Sequence, residues 1–129
     1  MPEMPNIQEL TPDLFDDTAR KWAETLAGPK KELLNKPTQL RRFYDELVMW
    51  NERVAQSDDA LQKALPFIYM MNSKIAYAKG RKLVDEQFQN LMKNVIKQIN
   101  STETLKHAKL FMESMMGFYK QYELKDEQQ

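Results

Sequence analysis

The sequence predicts an all-α protein, an antiparallel bundle of five to six amphipathic helices in a single domain over residues 1–129. Composition comes first. Three glycines and six prolines are too few for the many tight turns of a β fold, and Leu, Lys, Glu, Gln, Ala and Met dominate. Periodicity comes second, because apolar residues recur at spacings of three and four through most of the chain. The third observation is the connections. They are short, with no repeat, low-complexity block or long linker, as an up-and-down bundle requires.

The elements follow in order. Residues 1–10 and 124–129 carry no strong pattern and are expected to fray. Thr11 and Pro12 suit the start of a first helix, with Leu14, Phe15, Ala19, Trp22, Ala23 and Leu26 inward and Gly28–Pro29 as its stop. A turn in "GPKKELLNKP" leads to a second helix from Pro37 or Thr38, whose stripe is Leu40, Phe43, Tyr44, Leu47, Trp50 and Val54. Ser57, with Asp58 and Asp59, caps a third helix. That helix is expected to stop before Pro66, because X-Pro disfavours helix at X. A fourth then runs from Pro66 to about Lys79 and buries Ile68, Met71, Ile75 and Ala78. A fifth follows Asp85 and Glu86, with Phe88, Leu91, Met92, Val95 and Ile99 inward. Asn100 and Glu103 have capping-box spacing ahead of a sixth helix, which turns Leu105, Ala108, Met112, Met115, Tyr119 and Tyr122 inward.

Composition also bounds function. Cysteine is absent, which excludes disulfides and thiolate metal sites and fits a reducing, cytoplasmic setting. The longest apolar run, Ala64 to Met71, is eight residues, well short of the roughly 20 that span a bilayer, so no membrane partner is expected. No catalytic constellation emerges. His107 is the sole histidine, and its spacing to Glu103 and Phe111 reads as a helix-surface pair rather than a metal ligand. The carboxylate pairs Asp16–Asp17, Asp45–Glu46 and Asp58–Asp59 are adjacent in helices and point about 100° apart. The glycines are too scattered for a phosphate-cradling loop. No enzyme, metal or cofactor is therefore expected.

The charge distribution is more informative. The chain is neutral overall, with 19 basic and 19 acidic side chains, yet nothing acidic occurs from Leu65 to Val84. Within that span lies "KIAYAKGRK", residues 74–82, with Lys74, Lys79, Arg81 and Lys82 around Tyr77. Lys74, Tyr77 and Arg81 share one helix face. Cations beside an exposable ring suit phosphates and a stacked base or sugar. The same residues have a local explanation, since cations at a helix end relieve the macrodipole and Gly80 fits a C′ position. Arg41 and Arg42 resist that explanation. They lie near a helix start, where the dipole disfavours cations, and precede their acids Asp45 and Glu46, the poorer order for such pairs. Off-stripe Met70 and Met116 leave a protein-interaction surface open as an alternative.

"QLRRFYDEL" (39–47) and "KIAYAKGRK" (74–82), about thirty residues apart in a helical chain of this length, resemble the small subunit of type III-A CRISPR effector complexes, the Csm complex. The likeness covers roughly residues 35–122. It implies a non-catalytic subunit that stacks with copies of itself along the effector filament, beside the other subunits. Such a subunit supports guide RNA and target RNA without reading sequence. The resemblance carries Arg41, Arg42, Lys74, Lys79 and Arg81 over as candidate RNA contacts. Tyr77 lies in the same motif and is open between RNA contact and packing. The alternative is a helical protein-interaction module with no nucleic-acid contact. A sequence-specific DNA reader fits poorly, for want of an exposed Arg/Asn/Gln-rich helix.

Overall fold

The computed structural model describes residues 2–28 and 34–127, with side chains to residue 122. A 3₁₀ turn, Pro12–Phe15, is followed by α1 (Asp17–Ala27), α2 (Pro37–Val54), α3 (Asp58–Tyr69), α4 (Met71–Gly80), α5 (Glu86–Lys97) and α6 (Thr102–Glu127). The fold is an all-helical bundle, as the periodicity predicts. The long helix α6 is its axis and packs most extensively against α1 and α2. The core sits there: Trp22, Leu26, Phe43, Leu47, Phe88, Leu105, Phe111, Met112 and Met115 are all buried. Each apolar stripe read from the sequence faces inward, with Phe15, Tyr44, Trp50 and Tyr122 only partly covered.

Several boundaries differ from the sequence-based expectation. Thr11 does cap, its Oγ1 accepting from Leu14 N–H at 3.3 Å, but it caps the 3₁₀ turn. At Asp16 the backbone departs from helix (φ −125°, ψ −96°), and α1 starts afresh. Pro66 lies inside α3 rather than ending it. The X-Pro bias is outweighed because continuing the helix past Pro66 buries Ile68 on the stripe that Leu61 and Ala64 begin. The carbonyl that Pro66 leaves unpaired belongs to exposed Gln62, where water can satisfy it. The break falls at Met70 instead, which keeps helical dihedrals (φ −62°, ψ −19°), so α4 continues α3 without the reversal an antiparallel hairpin would make. The cap of α6 is Ser101 with Thr104, not Asn100 with Glu103. Ser101 Oγ accepts from Thr104 N–H at 3.1 Å, and Thr104 Oγ1 accepts from Ser101 N–H at 2.9 Å.

Residues 2–10, expected to fray, lie against the bundle. Ile7 is fully buried, and its N–H donates to Gln98 Oε1 at 2.9 Å. Trp22 Nε1 donates to Glu3 O at 2.8 Å. His107 is buried rather than at the surface, and its Nδ1 donates to Ile7 O at 2.7 Å. Buried backbone polar groups need partners, and these side chains supply them to an extended segment without its own ladder. The tail expectation at 124–129 falls outside the residues whose side chains are described, as does Pro29 of the first turn.

Asn35 joins more of the bundle than any stripe position. It is fully buried, with the left-handed φ of 57° that asparagine tolerates. Its N–H donates to Leu83 O at 3.0 Å and its Nδ2 to Leu26 O at 3.1 Å. Its Oδ1 accepts from Asp85 N–H at 3.0 Å, and its carbonyl from the Tyr119 hydroxyl at 2.6 Å. Four segments therefore meet at one residue, two through its side chain (the end of α1 and the start of α5) and two through its backbone (the end of α4, and α6).

Asn35→Ala strands the Leu26 carbonyl and the Asp85 N–H and forces alanine into a left-handed conformation. It should cost about 2–5 kcal/mol, whereas Tyr119→Phe should cost about 1 kcal/mol. Urea unfolding midpoints check both values.

Candidate nucleic-acid interface

The candidate cations lie on α2, α4 and the turn that follows α4. Two anchors set how α2 and α4 face each other. Asn35, just before α2, bonds Leu83, just after α4. Glu46 of α2 pairs with Lys74 of α4 at 2.9 Å. The helices thus run in opposite directions, and interpolation between the anchors brings exposed Arg42 level with Tyr77 and Ala78. On α4 itself, Lys74, Tyr77 and Arg81 form one exposed stripe, flanking the buried Met71, Ile75 and Ala78. The stripe extends backward to Met70.

Arg41 is not part of this face. Adjacent helical positions diverge by about 100°, so Arg41 turns to the other flank of α2. There it lines a groove of about 500 Å³ between α2 and α6, with Tyr44, Glu113, Met116 and Lys120. Its guanidinium is 3.9 Å from Asp45, a loose exposed pair. The Tyr44 hydroxyl donates to Glu113 Oε1 at 2.6 Å, and that bond to a carboxylate pushes the phenol up to about 12. The bond's stabilising effect is present below pH 10 and fades as pH rises from 10 towards 12.

The carboxylates are arranged unevenly. Lys74 comes from an acid-free stretch yet finds Glu46 across the helix gap, which corrects the expectation that this cation is left unpaired. Because Glu46 is engaged there, Arg42 loses its i+4 acid. Among the described residues, no acid lies within ion-pair distance of Arg42, Lys79, Arg81 or Lys82. Arg81 instead sits over the Tyr77 ring, 5.9 Å from its centroid, with Nη1 3.4 Å from the hydroxyl. Tyr77 is the most exposed large hydrophobic side chain described, at 64%, so it is not a packing residue of the core edge.

The end of α4 is a Schellman motif. Leu83 N–H reaches Ala78 O at 2.9 Å and Lys82 N–H reaches Lys79 O at 2.9 Å. The left-handed residue is Lys82 (φ 62°), while Gly80 stays inside the helix and is not the C′ glycine that its position suggests. A side chain at that backbone position costs about 1–2 kcal/mol relative to an unstrained residue.

Among the described residues, no three His, Cys, Asp or Glu side chains come together to hold a metal, and no helix is long and apolar enough to cross a membrane. Sequence reasoning missed Glu46 as the partner of Lys74, Arg53 over Trp50 (5.4 Å), and the exposed Phe67 stacked on that Trp50 (6.1 Å). All three depend on contacts between residues far apart or off-stripe.

These features define a small all-helical bundle with exposed cations on α2 and α4 and an exposed tyrosine, Tyr77, on α4. A profile of the Csm2 type III-A family matches residues 9–125, and the chain belongs to that family, the small subunit of the type III-A CRISPR effector complex. The match takes in the N-terminal region, which the likeness of 35–122 does not reach. No curated protein and no solved structure gives a significant match.

Lys82→Gly should raise stability by about 0.5–1 kcal/mol, because glycine adopts the left-handed conformation without strain but loses more chain entropy. Thermal unfolding monitored by circular dichroism checks the sign.

Proposed function

We propose that this chain is a non-catalytic subunit whose face formed by Arg42, Lys74 and Arg81, continued by Lys82 in the turn, contacts the backbone of the guide RNA–target RNA duplex without reading sequence, with Lys79, about 140° around α4 from Lys74, as a flanking contact. It would do so alongside copies of itself within a cytoplasmic effector filament. The observation that carries the reading is that four of these five cations have no acid within ion-pair distance among the described residues, although the chain is neutral. Where unneutralised cations share a surface they repel each other, and phosphates relieve that repulsion. Arginine at positions 42 and 81 offers the planar fork that suits phosphate. Overall neutrality is compatible with this role, because neighbouring subunits can supply the wider positive field. Arg41 is a separate element: from the α2–α6 groove it would meet a different strand or a neighbouring subunit.

The second reading is a protein-interaction module with no RNA contact. It draws on exposed Phe67 and Met70, at 55% and 52%, beside the Trp50–Arg53 stack.

Alanine at Arg42, Lys74 and Arg81 should leave helix content intact and flatten the log affinity–log salt slope for RNA by about 0.7–0.9 per contact removed. An unchanged slope in all three variants would refute the assignment of this face. Glu46→Gln should act in the opposite direction. It frees Lys74 and removes a like charge from the phosphate path, so RNA affinity should rise by about two- to fivefold while stability falls by less than about 1 kcal/mol. Fluorescence anisotropy with labelled RNA measures both effects.

A further inference from the structure

We infer that the Tyr77 ring is a stacking platform for an unpaired, unstacked nucleotide, so that the α4 face binds single-stranded or locally opened RNA more tightly than a closed duplex. This rests on the RNA-contact reading above and adds the substrate class.

The argument starts from exposure. Tyr77 is 64% exposed on a well-packed helix whose other flank buries Ile75 and Ala78. Its surroundings are cationic, with Lys74 one turn before and Arg81 one turn after. Helical rise places these two about 10 Å apart along the axis, with the ring between them. Arg81 lies against Tyr77 through both the guanidinium–ring contact and the contact to the hydroxyl. That arrangement restrains the ring from one side and leaves its remaining surface to solvent.

A cation–ring–cation line matches one nucleotide held between two phosphates. The ammonium and guanidinium groups take the flanking phosphates, and the ring takes the base. In a closed duplex both faces of every internal base are covered by its neighbours, so a side chain stacks only on bases that have left the stack. The platform is therefore useful only where a base has left the stack. Such contacts tolerate any base, because every base has a π face. Among the described residues, Glu46 is the one carboxylate held against this line, through Lys74, so phosphate binding there proceeds by exchanging the Glu46 partner.

The test uses the full-length chain, a short single-stranded RNA and a blunt duplex of the same length, titrated over a range of salt. Tyr77→Ala should weaken single-strand binding about tenfold and change duplex binding by less than about twofold. The salt slope should not move, because the ring carries no charge. Tyr77→Phe and Tyr77→Trp should bind as the wild type, and Tyr77→Trp emission should be quenched by the single strand but not by the duplex. Equal losses on both RNAs, or no loss on the single strand, would overturn the inference. If Lys74→Ala and Arg81→Ala flatten the slope while Tyr77→Ala is silent, the platform fails and the backbone contact stands. If all three variants are silent, or the wild type binds neither RNA, both fall.

Discussion

Asn35 is held by four hydrogen bonds, to Leu26, Leu83, Asp85 and Tyr119, and no water reaches it. A residue in that position has few alternatives. Its backbone needs positive φ, which asparagine tolerates better than most side chains, and its amide must donate to one carbonyl and accept from one N–H at once. Buried polar groups stabilise a structure only when they are fully satisfied, and then they define a single arrangement rather than several. The spacing between the start of α2 and the end of α4 is therefore specified by hydrogen bonds, whereas apolar packing alone would tolerate sliding.

That constraint determines where the charge goes. With Asn35 N–H bonded to Leu83 O, α4 runs opposite to α2 in the register that lets Glu46 reach Lys74. Glu46 is thereby withdrawn from Arg42. The Schellman turn then projects Arg81 and Lys82 beyond the end of the helix, and the strained backbone of Lys82 is part of that geometry. Local helix energetics would favour glycine at position 82 and carboxylates near the start of α2. The chain has lysine and arginine at those places.

Much of the bundle was legible in the sequence because burial follows a period of 3.6. The stripes of α2, α5 and α6 needed no tertiary information, and neither did the cap at Ser57. The errors share a cause. Pro66 reads as a stop only while the burial of Ile68 beyond it is left out. His107 reads as a surface residue only until the N-terminal segment lies across it. Gly80 looks like a cap because glycine usually is one, yet the hydrogen bonds put Lys82 there. For the candidate interface, residue types and the α4 face were readable. The Lys74–Glu46 pair was not, because it depends on which helix flanks α2, whereas the roughly 100° between Arg41 and Arg42 was readable and went unused.

The clamp can be probed directly by native-state amide hydrogen exchange on the free protein. If Asn35 fixes the α2–α4 register, the N–H groups of Asn35 and Asp85 exchange only through global unfolding, with protection equal to that of buried α6 amides such as Phe111. Exchange at these two amides as fast as in an open loop, with α6 still protected, would contradict the account, because the cationic turn would then have no fixed position relative to α2.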